Sequence, residues 1–343
     1  MDNTGKGSKF EYLKWFDAHL DLAYLAECER DMDAPIERCG GPDLPAAVTL
    51  RSLCEGRVAA CLGTIFTEAD GSDAVGYPAG NAEAAHACGV RQLGWYRRWW
   101  ADRKAGRKGS RDRGIEGSSE EQTRILILME CADPIRSVSE LDWWVERGVV
   151  AIGLAWARGS RFAGGNLNSG VGLNADGRSL LARMEESGVV HDLAHLSQRA
   201  TEESLALPGR VIASHSNCRA LLGGENERHV TDETIRAIAG RGGVIGLNLF
   251  GKFLRPEMKP GERATIDDAV RHVEHVVQQV GHTRSVGLGS DMDGGLSALM
   301  LPDEIDSPGD LWRLAEALSA RGWSNTDVEL FAWGNWARFW GLT

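Results

Sequence analysis

Eight short apolar runs are spaced along the chain. They lie at 15–22 (WFDAHLDL), 57–66 (RVAACLGTIF), 124–131 (RILILMEC), 149–156 (VVAIGLAW), 189–196 (VVHDLAHL), 211–216 (VIASHS), 242–250 (GGVIGLNLF) and 285–291 (SVGLGSD). They are rich in β-branched residues and nearly continuous rather than alternating, which is the pattern of parallel strands buried on both faces. Between them the pattern turns helical. Segment 134–147 opens on Pro134 and is stopped by Gly148, and 176–187 ends before Gly188. Segment 231–241 begins with a capping-box arrangement of Thr231 and Thr234, with Asp232 and Glu233 in its first turn. Segments 265–280 and 308–321 are amphipathic. The last helix, about 325–341, carries Trp333, Trp336 and Trp340 on one stripe. That stripe is expected to be core or a subunit interface, and in the second case the chain forms a homodimer. No fixed-period sequence repeat is present.

Strands alternating with helices predict an α/β fold, a single (β/α)8 TIM-type barrel occupying 1–343 as one domain. The longest gap, 67–123, falls between the second and third strands and holds Trp95, Trp99 and Trp100. It is expected to be an inserted helical segment over one end of the barrel. The length of 343 residues and a composition of 43% hydrophobic and 25% charged residues fit a folded protein with a large core. A net charge of −11 argues against nucleic acid or an anionic membrane as partner. The basic run 97–113 (RRWWADRKAGRKGSRDR) opposes that trend and reads as a solvated helix end and loop. Seven cysteines, an odd number with no CxxC pair, fit reduced thiols used as small apolar side chains. The first residues carry no apolar signal core, and no apolar run approaches the roughly 20 residues of a membrane span. A cytoplasmic protein is the expectation.

A barrel enzyme keeps its chemistry at the carboxyl ends of its strands, and five of the eight runs end in His, Asp or Glu. The first carries His19 and Asp21, two apart and therefore on one face of a strand, a pair able to hold a divalent metal such as zinc. The third ends in Glu130, a carboxylate costly to bury without a cation, an Arg or a proton. The fifth carries His191 and His195, which would share a face, the sixth ends at His215, and the eighth ends at Asp291. Each signal is weak alone, and together they are specific. Six ligand-type groups, His19, Asp21, Glu130, His195, His215 and Asp291, exceed the three or four of one catalytic zinc and suit two metals about 3.5–4 Å apart.

These pieces resemble the membrane dipeptidase (renal dipeptidase) family, peptidase family M19, among the amidohydrolase-like barrels. The resemblance runs from about residue 15 to the carboxyl terminus and is carried by FDAHLDLA, LILMECADPI, VVHDLAHLS, ASHSNCRAL, ERHVTD and VGLGSDMDGG. It implies a binuclear zinc hydrolase that cleaves a dipeptide or related small amide with a metal-bridging hydroxide. His19 and Asp21 would hold one zinc, His195 and His215 the other, and Glu130 would bridge both. Asp291 would be the acid/base, and Arg228 would bind the terminal carboxylate of the substrate. One position departs from the family pattern. Where the family has a His at the end of the fourth strand, aligning VVAIGLAWARG places Trp156. An indole N–H donates one hydrogen bond but cannot be protonated or ligate metal, and loss of an oxyanion donor costs roughly 10²–10³ in rate. The alternatives are therefore a different substrate or tailoring reaction on the same metal scaffold, or a catalytically weakened binding barrel.

Of the remaining candidates, His191 is expected to be a core histidine deep in the barrel, and His229 could contact substrate. His86, His272, His275 and His282 are expected on solvated surface. Asp293 competes with Asp291 for the acid/base role but lies beyond the apolar run. Cys131 and Cys218 neighbour site residues without the partners of a thiol nucleophile.

Overall fold

The computed structural model describes residues 8–104, 123–259 and 261–342. The eight runs become β1 (Trp15–Leu20), β2 (Val58–Ile65), β5 (Arg124–Met129), β6 (Val149–Gly153), β7 (Val190–Asp192), β8 (Val211–Ile212), β9 (Ile245–Leu247) and β10 (Val286–Leu288). Between β2 and β5 lies a two-stranded ribbon of β3 (Glu68–Ala69) and β4 (Gly76–Tyr77). The eight strands pair in parallel in the order β8-β7-β6-β5-β2-β1-β10-β9. The circle closes through a parallel bridge between Ala213 and Ile245, with Gly246 N–H donating to the Ala213 carbonyl at 2.8 Å and Ser216 N–H donating to the Gly246 carbonyl at 2.8 Å. Backbones crowd at this seam. A Cβ on Gly246 or Gly289 would fall 1.8 Å from the Ser214 carbonyl oxygen, so both positions require glycine. The result is the expected (β/α)8 barrel.

The strands are shorter than the apolar runs. Apolarity continues past the last ladder hydrogen bond, and the final residues of the fifth, sixth and eighth runs turn out of the sheet. The barrel interior is filled by Phe16, Leu62, Leu128, Val190, Ile212 and Val244 together with small alanines. Trp336, from the last helix, closes it from below. Its indole stacks on Phe16 at 5.7 Å and donates to the Leu288 carbonyl at 2.9 Å. Gly287 makes room for it, since a Cβ there would lie 2.4 Å from the indole nitrogen. Of the Trp stripe, then, Trp336 is core, while Trp333 and Trp340 are partly buried beside it.

Helix starts follow the capping chemistry of the sequence. Asn174 accepts from Gly177 N–H ahead of Ala175–Glu186, and Thr231 accepts from Thr234 N–H ahead of Asp232–Gly240. Thr265 and Asp268 form a reciprocal capping box ahead of Ile266–Val280. The inserted segment contributes one long helix, Ala82–Lys104. It docks along β2, where the Tyr96 hydroxyl donates to the Thr64 carbonyl at 2.8 Å and Gln92 accepts from Phe66 N–H at 2.9 Å. Residues 105–113 of the basic run lie outside the described residues. Among the described residues no helix is long and apolar enough to cross a membrane.

Two histidines depart from their expected places. His191 is buried, but between β7 and the helices, against Leu181, Met184 and Ser204, rather than inside the barrel. His272, expected at the surface, is 2% exposed and accepts from Cys218 N–H at 3.0 Å. Burial pushes His191 down to about 3, with help from Arg241, and His272 down to about 4. Both rings are neutral in the folded protein, whereas an unfolded His titrates near 6.5. Below that pH the unfolded chain takes up protons that the folded one refuses. Stability is therefore retained above pH 6.5 and lost as pH falls towards 4, by up to about 1.4 kcal/mol per pH unit for each ring. Replacing His191 with Leu is expected to flatten the decline of Tm between pH 7 and pH 5. An unchanged slope would assign the acid sensitivity to other groups.

Candidate metal centre

The expected site residues converge above the carboxyl ends of the strands. β1 shifts register between Asp17 and Leu20, and such irregularities re-aim side chains beside active sites. His19 is the penultimate residue of this strand and Asp21 follows it. Glu130 follows β5, its N–H donating to the Ile65 carbonyl at 3.1 Å. His195 and Asp291 stand in left-handed backbone, at φ 64° and 60°, in the turns after β7 and β10. His and Asp tolerate this region better than most residues, yet it still costs about 1 kcal/mol or more. The turn at His195 also removes it from the strand face that His191 occupies, so the two do not share a face.

One carboxylate oxygen organises the cluster. Glu130 Oε1 lies 3.1 Å from His195 Nε2, 3.6 Å from His215 Nε2 and 3.7 Å from His19 Nε2. The His195 and His215 Nε2 atoms are 3.0 Å apart. His19 Nε2 also lies 3.7 Å from Asp21 and 3.8 Å from Asp291. His19, Asp21, Glu130, His215 and Asp291 are buried, and the His195 side chain is 11% exposed. Two overlapping groups, His19–Glu130–His215 and His19–Asp21–Asp291, bring their ligand atoms close enough to share a cation.

A second layer orients the rings and carboxylates. The Ser214 hydroxyl sits 2.7 Å from His215 Nδ1 and donates to Asp192 Oδ2 at 2.5 Å, which leaves Nε2 facing Glu130. Asn166 Oδ1 lies 3.3 Å from His195 Nδ1. The Thr64 hydroxyl donates to Asp21, and Asn248 Nδ2 donates to Asp291 Oδ2 at 2.8 Å. Such partners fix which ring nitrogen is free to ligate.

Without a cation the cluster is poorly balanced. Burial drives Glu130 well above the usual carboxylate range, against the pull of His19, and drives Asp291 up to about 6. Burial alone would discharge His19, but Glu130, Asp21 and Asp291 outweigh it and hold the ring up to about 10. Burial pushes His195 and His215 well below their ordinary value. Both ring nitrogens of His19 are buried with no hydrogen-bond partner among the described residues. Two neutral imidazoles, an unpartnered third and three carboxylates form a donor set that fits divalent metal.

The cluster floors a cavity of about 440 Å³. On one wall stands Arg228, 5% exposed, with its guanidinium 5.3 Å from the Phe253 ring and Nη1 donating to the Ser216 hydroxyl at 3.2 Å. Its Nε and Nη2 have no hydrogen-bond partner among the described residues. Trp156 lines the other wall, edge-on to Phe66 at 5.2 Å and 5.8 Å from the His195 ring. His229 packs against Phe253 at 4.9 Å and is not among the cavity-lining residues. Asp293 is turned away from the cluster: one oxygen accepts from Arg30 and from the N–H groups of Ala47, at 2.8 Å, and Val48, at 2.6 Å. Both side chains of this ion pair are fully buried. Arg30→Met should therefore destabilise the protein by about 3–5 kcal/mol, because it leaves a buried carboxylate uncompensated. Urea unfolding reads this, and a loss under about 1 kcal/mol would mean that the backbone donors suffice.

Several residues of the site went unseen in the sequence. Asn166, Asp192, Ser214 and Asn248 orient ligand-type groups, and Asp43, Glu68 and Asp73 line the mouth of the cavity. Most sit in turns and loops, and Asp192 and Glu68 at the ends of short strands, where polar residues are common, so nothing in the apolar pattern marks them.

A barrel with imidazoles and carboxylates gathered over the carboxyl ends of its strands belongs to the metal-dependent hydrolases. More particularly, the family described as Membrane dipeptidase (Peptidase family M19) matches residues 10–343, and the chain belongs to that family. A protein from Klebsiella pneumoniae, described as an uncharacterized protein in the pqqA 5′ region, is 31% identical over 209 residues, covering 58% of this chain and 74% of that one. The probable dipeptidase PvdM from Pseudomonas aeruginosa superposes with a TM-score of 0.77 at 22% identity, covering 97% of this chain and 96% of that one. A metallo peptidase from Rhodobacter sphaeroides, solved with a phosphinate mimic of the dipeptide L-Ala-D-Ala, gives 0.74 at 22% identity, covering 94% of this chain and 97% of that one.

Proposed function

We propose that the protein is a binuclear zinc-dependent hydrolase that cleaves a dipeptide or a closely related small amide. The observation that carries this reading is the single oxygen of Glu130 facing three imidazole Nε2 atoms, one from β1 and two from the turns after β7 and β8, at 3.1–3.7 Å. His19 and Asp21 would hold one ion, His195 and His215 the other, and Glu130 would serve both. Bound there, two ions supply a water that ionises near neutrality and a Lewis acid for the carbonyl. The protein does the rest. Arg228 holds the terminal carboxylate through its two unpartnered nitrogens and so positions the scissile bond. Asp291, steadied by Asn248, takes a proton from the attacking water and delivers it to the leaving amine. The dipeptide class is supported by the family and by the dipeptide mimic held by the Rhodobacter sphaeroides relative.

Elemental analysis after zinc reconstitution, followed by hydrolysis assays on a dipeptide panel with D- and L-residues at the carboxyl side, tests the reading. Metal content near zero would overturn it. Full metal without hydrolysis of any dipeptide would favour another reaction on the same scaffold.

A second reading rests on Trp156, which occupies the cavity wall where the family pattern has a His. Native protein is expected to cleave ordinary dipeptides slowly, and Trp156→His to raise kcat/KM by up to about 10²-fold at constant metal content. The gain is smaller if the new ring lacks an orienting partner. Fast cleavage by the native protein would show that the indole is no handicap.

A further inference from the structure

The cavity has two electrically opposite ends. Arg228 stands on one wall as a buried cation with two unused donors. At the mouth stand Asp43, Glu68 and Asp73. Asp73 is exposed, and the other two are half-buried. Among the described residues no Lys or Arg forms an ion pair with any of the three, although Arg158 acts on Glu68 at longer range. The acidic loops are held in place. Arg30, itself pinned by Asp293, donates to the carbonyls of Gly40 at 3.3 Å, Pro42 at 2.5 Å and Val48 at 3.3 Å, which frames Asp43. Asp73 accepts from Val75 N–H at 3.0 Å in the turn between β3 and β4.

An aromatic wall joins this mouth to the metal cluster. From the His195 ring it passes to Trp156 at 5.8 Å, to Phe66 at 5.2 Å and to Tyr24 at 6.0 Å. Tyr24 is close enough to Asp73, Asp43 and Asp21 to feel all three charges. With a carboxylate on Arg228 and the scissile carbonyl over the cluster, the amino-terminal residue of a dipeptide points along this wall. Its α-ammonium remains two bonds from the reacting carbon, beside Asp21 and Asp291. Only a long side chain extends to the mouth, with its methylenes on aromatic faces and its charge among the three carboxylates.

We propose that the acidic mouth selects dipeptides whose amino-terminal residue carries a long cationic side chain, arginine or lysine. This rests on the dipeptidase reading above and narrows it to a substrate class.

The test compares arginyl-alanine with citrullyl-alanine, which match in shape and differ in charge, using zinc-loaded protein and the alanine enantiomer that supports turnover. The arginyl substrate should be preferred about tenfold in kcat/KM at low salt, mainly through KM, since several partly exposed ion pairs each contribute a small factor. The preference should shrink in 0.5 M NaCl, where the screening length falls to a few ångströms. In the Glu68→Gln/Asp73→Asn double variant the ratio should fall towards one. Cleavage of both substrates at equal rates by native protein would overturn the selection and leave the dipeptidase reading standing. It is also the outcome if the three carboxylates merely collect an inorganic cation. A preference that persists undiminished in the double variant would equally overturn the role of the mouth. Cleavage of neither substrate, nor of any member of the panel, would remove the dipeptidase reading and this one with it.

Discussion

Replacing Glu130 with alanine should empty both metal positions and abolish turnover. The residue is 4% exposed, and one of its carboxylate oxygens lies within 3.7 Å of the Nε2 atoms of His195, His215 and His19. One ring lies on β1 and the others in the turns after β7 and β8, and this carboxylate oxygen faces all three. On the proposed binuclear reading, removing it would take a ligand from each ion and the negative charge that would offset two adjacent cations. Zinc-reconstituted native protein should carry about two ions per chain and the variant close to none. His215→Ala is the necessary comparison, because that ring belongs to one half only and its loss should leave about one ion. If both variants lost the same single ion, Glu130 would belong to one site and the bridging assignment would fail. Near-ultraviolet circular dichroism guards against a trivial collapse, since Glu130 packs beside the barrel core.

The reason Glu130 was visible in the sequence also explains what was not. A carboxylate ending LILME stands out because its neighbours are apolar and its burial demands a cation. His19, His195, His215 and Asp291 stand out in the same way, as ligand-type groups at the ends of apolar runs. The barrel itself was legible for a related reason: parallel strands buried on both faces leave continuous apolar stretches. Strand ends were less legible. The run at 189–196 stays apolar for several residues past Asp192, where β7 ends, because the following turn is also buried. Apolarity reports burial, whereas strand membership depends on the ladder. That difference misplaced His191 and His195 on a common face, when a left-handed turn at φ 64° separates them. His272 was misplaced for the converse reason. A histidine inside an amphipathic helix gives no sign of whether it lies on the wet side or, as here, under the loop that carries Cys218. The orienting layer was out of reach, since Ser214, Asn166 and Asn248 are residues that turns use everywhere. Only the fold brings them within 2.7–3.3 Å of the groups they hold.

Asp291→Asn should retain the metal and lose nearly all turnover, by about 10²–10⁴-fold. The substitution keeps the size and planarity of the side chain and removes its ability to accept a proton. In the native site Asn248 Nδ2 donates to Asp291 Oδ2 at 2.8 Å, while Oδ1 faces His19 at 3.8 Å. An amide can satisfy Asn248 only by presenting its oxygen to that donor, which turns its NH₂ group towards the cluster. The group proposed to receive a proton from water would thereby be replaced by a donor, so the expected defect lies in kcat rather than in KM. Binding through Arg228 is untouched, because its free nitrogens contact neither oxygen. Asp293→Asn provides the contrast. Asp293 is bound to Arg30 and to two backbone N–H groups on the far side of the turn, so its loss should lower stability while the chemistry of the folded fraction survives. The two variants together separate a proton acceptor from a structural anchor two residues away. Should Asp291→Asn keep full kcat while Asp293→Asn loses it, the roles of the two carboxylates are reversed, and the Arg30 pair would have to open during turnover to release a base.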